Sequence, residues 1–594
     1  MYQETYYIDK SSQTFADVLA AYGLATLLSR IIQEADREID IRIRDDGSYY
    51  VIALDKPLEV AWVEQCHYFS EAPLIATAKM LKGKEVPEGI WAVDYEAERE
   101  SNSLYYEGLR QLPAEARRPG ASADQFPELE AVLRHKPRPD WAILAQVNQM
   151  SAISAYNGMV TAWYESKDYF AEQFKLILMM CASSPNDVEG ALAGWNKLAK
   201  AHDLSAKAEA AATQVFNPAT GKGANRAKAD TLTIGGQKNF WLLEYLKLIG
   251  MRYAGLPRVV SGAKDRKTYI LLPVNIELGT SNKVFQAFND ALWANSAIKM
   301  DILAAFRYAQ VFLRQWSAGQ LDQRKLRRGG QPNNYVQGLA VTFYKDMGSA
   351  HAVLNQSVIG LPRWVDTVET KAEAQTFLEM LEEHERVITG LDEKRGLEYD
   401  LLRTYRDFLS DRNLRHFFEF TAAYSSHLTH KIENKEFVNQ FTITHLEVLI
   451  MSQDKSLRPI LENEGFQNVA AAIRQSTVNA QRAKIRGKRV YDIRYGLGND
   501  FKRKANYNAE FIQILTDFMH SYNQENVQIE ESYKGNPPFR RKQLTTSDIT
   551  EIVNLIDEYG AKTIGNMLVA FGYARVPREA DEPATDPVTD QISD

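Results

Sequence analysis

Ten basic side chains crowd one stretch near the C-terminus: Arg474, Arg482, Lys484, Arg486, Lys488, Arg489, Arg494, Lys502, Arg503 and Lys504. Only Asp492 and Asp500 oppose them, which leaves a local charge of +8 in a chain whose net charge is −7. Like charges at this density repel one another, and a polyanion such as a phosphate backbone would offset the repulsion. Tyr491 and Tyr495 lie among the bases, where they could stack on nucleobases or equally pack into a core. The plain alternative is a solvated helix face. It suits a single helix better than a cluster that continues through a glycine-containing loop into a second helix.

Two upstream loops repeat the pattern. "GKGANRAK" supplies Lys222, Arg226 and Lys228 beside Asn225, and "RKLRRGGQPNN" supplies Arg324, Lys325, Arg327 and Arg328, then Gln331, Asn333 and Asn334. Glycine lets a backbone approach closely, and Asn and Gln can address base edges. Flexible surface loops would have the same composition. The candidate DNA-binding residues are therefore Lys222, Asn225, Arg226, Arg327, Arg328, Gln331, Asn333 and Asn334 upstream. Downstream they are Arg474, Arg482, Arg486, Lys488, Arg489, Arg494, Lys502 and Arg503.

Covalent and metal chemistry find little support. The Gly-Lys-Gly at 221–223 lacks the spacing of a nucleotide-binding P-loop, and there is no Gly-x-Ser-x-Gly or His-Glu-x-x-His. His202-Asp203 is the one adjacent His-Asp pair, without a further ligand set. His427 and His430 could share a helix face, but no nearby carboxylate completes a familiar ligand set. No catalytic residue, metal or cofactor is expected.

The elements that must position these side chains are legible from periodicity. Phe15, Val18, Leu19, Leu24, Leu27, Leu28 and Ile31 recur at helical spacing. Ile39, Ile41 and Ile43 alternate with polar residues, and "DDG" then turns the chain into "SYYVIAL", which predicts a β-hairpin. The Pro- and charge-rich stretch before Trp141 reads as a long surface connection. Helices dominate from 150 to 252, and Tyr269–Leu278 and Tyr335–Met347 read as strands. After "GLPRWVD" the chain is helical in period to Arg575, with Ser547 as a candidate cap. The expected fold class is α+β, predominantly helical, with a mixed α/β N-terminal body and a C-terminal α-helical bundle. The expected segments are an N-terminal α+β region (1–150), a mixed central region next to DNA (151–366), connecting helices (367–450), the bundle (451–577) and a disordered acidic tail (578–594). Cys66 and Cys181 are far apart, no basic and apolar leader opens the chain, and no run suits a membrane span. A cytoplasmic location without membrane contact is expected.

The segments "FQNVAAAIRQSTVNAQRAK", "YDIRYGLGNDFKRKA", "EFIQILTDFMHSYNQEN" and "IVNLIDEYGAKTIGNMLVAFGYAR" resemble the C-terminal region of the large subunit of type I CRISPR surveillance complexes (Cascade), most closely the branch grouped with subtype I-B. The marks are Ala471, Ile473 and Arg474, Ile493 to Leu497, Arg503 to Ala505, Tyr522-Asn523 and Gly572 to Arg575. "ADVLAAYGLA" adds a weaker match near the N-terminus. The resemblance covers roughly the last quarter of the chain, and the middle diverges. It implies a DNA-handling subunit, not an enzyme. Guide RNA would read the target by pairing, the N-terminal body would read the short flanking motif (PAM) in the duplex, and the bundle would help hold the displaced strand. Implied partners are CRISPR guide RNA, target double-stranded DNA, the backbone, tail and RNA-processing subunits, and a helicase-nuclease or a transposition adaptor. The resemblance also suggests a separate small subunit started at Met451. The alternatives are a helical RNA-binding scaffold without guided targeting and an enzyme with an unfamiliar site.

Overall fold

The computed structural model describes residues 1–113, 115–117, 122–220, 237–260, 264–292, 294–326, 329–348, 351–410 and 414–577. The chain is 57% helix and 12% strand, mixed α/β toward the N-terminus and helical toward the C-terminus, so the fold is α+β and predominantly helical. It divides into two units: residues 1–295 with 307–361, and residues 296–306 with 362–594. The main division falls inside "GLPRWVD", where the periodicity changes.

In the first unit, strands β1 (Thr5–Asp9), β2 (Ile41–Asp45) and β3 (Tyr49–Leu54) form an antiparallel sheet. The predicted alternation holds: Ile41 and Ile43 are buried, while Arg42 and Arg44 face outward. Strands β4 (Gly255–Val259), β5 (Arg266–Pro273), β7 (Val336–Asp346) and β8 (His351–Gly360) make a second sheet in the order β8-β7-β5-β4. The single strand expected at 269–278 is divided. After Pro273 the chain re-enters as β6 (Asn275–Glu277), which pairs with β2 and places Ile276 opposite Ile43. Glu277 then caps a helix by accepting from the Gly279 and Thr280 amides at 2.9 and 2.7 Å. The central region thus completes the N-terminal sheet.

Helix α1 (Phe15–Glu34) lies against α2 (Trp241–Ala254). A Cβ built on Gly23 would sit 1.9 Å from the Leu246 carbonyl oxygen, and one on Gly250 would sit 1.8 Å from that of Leu19. The two glycines let the helix backbones touch. By length and hydropathy α1 could cross a membrane, but 89% of its apolar window is buried inside the fold. The stretch expected as a long connection also departs from that reading. It carries the helix Pro127–Leu133, whose Leu129 packs with Leu112 and Ala116 against Phe126 and Val132 in a small core of its own.

The second unit contains α3 (Lys371–Thr389), α4 (Gly396–Ser410), α5 (Arg415–Glu433), α6 (Ile443–Gln453) and α7 (Glu464–Arg474). A π-helical turn at Gln475–Asn479 leads into α8 (Ala480–Ile485). Then come α9 (Leu497–Lys504), α10 (Asn508–Ser532), α11 (Thr546–Tyr559) and α12 (Ala561–Gly572). The cap of α11 is Thr545, not Ser547: its hydroxyl accepts from the Asp548 amide while Asp548 reaches back to the Thr545 amide, a reciprocal pair that satisfies two orphan donors. Gly560, at φ +82°, separates α11 from α12 as the sequence predicts. Helix α5 packs on α8, α9 and α12, and an isolated bridge joins Thr442 to Arg575.

Candidate nucleic-acid interface

The basic segment is built on an apolar footing. Asn463 caps α7 by accepting from the Phe466 amide at 2.8 Å, and Phe466, Val469 and Ile473 are buried. In α9, Leu497 and Phe501 are buried, and Phe501 meets Phe511 and Phe518 edge-on at 5.6 and 5.8 Å. These contacts turn Lys502 and Arg503 toward solvent.

Seven of the ten basic side chains in the segment are engaged internally. Arg474, a candidate DNA contact from the sequence, is 8% exposed and donates to the Phe571 carbonyl at 2.7 Å. Burial pulls its guanidinium down to about 10, and it is a structural residue, not a surface contact. Arg482 is half-buried and donates to Gln440 Oε1 at 2.5 Å. Arg494 donates to Glu525 Oε2 at 2.7 Å and lies over the Phe518 ring. Arg489 bonds Asp492 and the Tyr491 carbonyl, Arg503 bonds Asp500 at 2.8 Å, and Lys504 bonds Glu510 at 2.7 Å. Lys484 reaches the Tyr495 hydroxyl at 3.1 Å and stands 3.8 Å from Glu433. Arg486, Lys488 and Lys502 are exposed, and their side chains make no hydrogen bond or ion pair with the described residues. The available charge is therefore much smaller than +8.

The tyrosines divide in the same way. Tyr491 is 6% exposed, donates to the Phe539 carbonyl at 2.8 Å, and carries the Arg541 guanidinium 3.7 Å from its ring centre. It is a packing residue. Tyr495 is 50% exposed, and so is Tyr507 at 67%, a residue outside the candidate set. Spacing offers no signal for Tyr507: four residues before Phe511 it falls in line with the apolar stripe of α10, yet it lies outside that helix as its N-cap, in extended backbone. Glu525 and Arg541, which absorb Arg494 and Tyr491, had no signal either, because both lie far from their partners in sequence.

The upstream candidates belong to the first unit. Lys222, Asn225, Arg226, Arg327 and Arg328 lie outside the described residues. Gln331, Asn333 and Asn334 are half-buried around the turn Pro332–Asn334, where Asn334 donates to Gln331 Oε1 at 3.1 Å. Lys325 is tied to Asp40 at 2.6 Å and Glu277 at 3.5 Å, which anchors this loop to the first sheet. His202 stacks on Tyr169 at 3.8 Å, and no group of three or more potential metal ligands occurs among the described residues. Comparison with protein-family models and with curated proteins finds no match to the chain.

Proposed function

We propose that the chain is the large subunit of an RNA-guided type I CRISPR effector complex. In this reading it recognises the PAM duplex, supports target unwinding, holds the displaced strand and recruits a downstream effector, either a helicase-nuclease or a transposition adaptor. It works as a cytoplasmic binding subunit with no chemistry of its own. The observation that supports it is the coincidence of two features. The resembling segments fold into one helical unit, and its solvent face carries Arg486, Lys488 and Lys502 without internal partners. Strand opening by guide pairing is a near-balanced exchange, so a few backbone contacts are enough to tip it.

The test is to express the chain with its neighbouring genes, purify the assembly and sequence the RNA that accompanies it. Repeat-derived guide RNAs are expected. RNA of no repeat origin would favour the unguided scaffold, and an assembly free of RNA would overturn both readings.

A further inference from the structure

We infer that Tyr495 and Tyr507 form a base-stacking track for single-stranded DNA at the two ends of α9. This rests on the nucleic-acid reading above and adds what that reading lacks, a means of distinguishing an open strand from a duplex.

The geometry starts from what the neighbouring rings do. Phe501, Phe511, Phe518 and Tyr522 pack against one another within the bundle. Tyr507 lies between Phe501 and Phe511 in sequence, yet it is 67% exposed, with no ring neighbour and no hydroxyl partner among the described residues. Its backbone is fixed: its amide donates to the Lys504 carbonyl at 3.3 Å, and its own carbonyl accepts from the Phe511 amide at 3.0 Å. The platform is therefore held by the helix junction while its faces stay open.

Tyr495 stands at the other end of α9. The Lys484 ammonium lies 5.7 Å from its ring centre and bonds its hydroxyl, so the basic end of α8 meets this ring just before α9. In the chain, Arg486 and Lys488 precede Tyr495, and Lys502 falls between the two tyrosines; all three are exposed. Eight helical residues span about 12 Å, enough to follow several nucleotides. Unpaired cations would neutralise phosphates while the rings accept bases. Asp492, Asp500 and Glu510 are each already matched by Arg489, Arg503 and Lys504, which limits repulsion of the strand. A duplex keeps its bases stacked inside and gains only the phosphate contacts.

The experiment uses the full chain with a fluorescein-labelled oligothymidylate and a duplex of equal length, titrated over a range of salt. Tyr507→Ala and Tyr495→Ala should each weaken single-strand binding roughly tenfold and leave duplex binding and the salt slope unchanged. Tyr507→Phe should retain wild-type affinity, because stacking needs the ring and not the hydroxyl. Both rings are solvent-exposed, and unchanged circular dichroism checks that the fold persists. If the double alanine variant binds single strands as wild type does, while charge reversal at Arg486, Lys488 and Lys502 abolishes binding, the stacking track is refuted and the phosphate-binding reading stands. If neither change matters, or the unaltered chain binds no single strand, both fall.

Discussion

The Arg494 guanidinium and the Glu525 carboxylate meet at 2.7 Å across 31 residues of sequence, with side chains only 19% and 12% exposed. Glu525 also accepts from the Asp492 amide and receives Arg541 at 3.4 Å, so one carboxylate gathers the basic loop onto α10. Arg494 therefore holds the segment in place, although its sequence context marks it as a phosphate contact.

Arg494→Ala should lower unfolding stability by about 1.5–3 kcal/mol, the range for a hydrogen bond to a charged group. The slope of log affinity for DNA against log salt should stay as in wild type. A urea titration and a salt series read the two quantities separately. Unchanged stability with a shallower salt slope would return Arg494 to the surface set.

Charge reversal at Arg486, Lys488 and Lys502 should do the opposite. Stability should stay within about 0.5 kcal/mol for exposed sites. The salt slope for single strands should fall by about 0.7 for each phosphate that is no longer neutralised. Equal salt slopes in variant and wild type would remove these residues from the interface.

His384 sets an acid limit on the second unit. It is fully buried among Phe306, Trp364, Phe417 and Phe441, and its Nδ1 lies 2.5 Å from the Tyr405 hydroxyl. Burial pulls its imidazole from 6.5 down to about 3. The unfolded chain takes up this proton below about pH 6.5 and the folded one does not, so stability present above that pH is lost as the pH falls, by about 1.4 kcal/mol per unit. Glu383 is also held low, by His445 and the Thr442 amide against burial, but it acts only below its ordinary carboxylate range. Urea midpoints at about pH 7.5 and about pH 5.5 should therefore diverge more for wild type than for His384→Phe. Parallel shifts would refute this assignment.

Gly23→Ala should destabilise the first unit by at least about 1–3 kcal/mol, because the added methyl meets a backbone carbonyl that no rotamer change can move. Ser29→Ala, on the half-exposed side of the same helix, serves as the control. Equal melting temperatures for the two variants would contradict the close crossing of α1 and α2.

A product starting at Met451 would lose α5 and the Thr442 bridge. It would forgo the bonds from Gln440 to the Tyr573 carbonyl and from Gln481 to the Thr429 carbonyl, each 2.8 Å, and uncover the faces of α9 and α12 that pack on α5. Expressed alone, residues 451–594 should bind a hydrophobic dye and unfold without a sharp transition. A cooperative transition without dye binding would show that the bundle stands by itself.

What the sequence made legible was local. Ile41 and Ile43 announced their hairpin, Phe511 to Tyr522 announced a helix face, and "GLPRWVD" marked the change of unit. What it hid was pairing at a distance. Nothing near Arg494 points to Glu525, nothing near Arg474 points to the Phe571 carbonyl, and β6 looked continuous with β5 because no turn residue other than Pro273 intervenes. The capping box at Thr545 was missed by two residues, since Thr545, Thr546 and Ser547 are all chemically able caps and only the reciprocal reach of Asp548 distinguishes them.

The π-helical turn at Gln475–Asn479 has a consequence for evolution of the surface. One residue more than the α-helical repeat rotates everything after it by about 100° about the axis. The turn is thus a phase shifter. Upstream of it Arg474 faces the core, and downstream of it Ala480 and Gln481 turn inward while Lys484 stays exposed. Deleting a single residue within the turn would restore an unbroken helix and reassign inside and outside for Ala480–Ile485. Which side chains of α8 reach solvent is thus set by chain length within the turn, with no change in residue type.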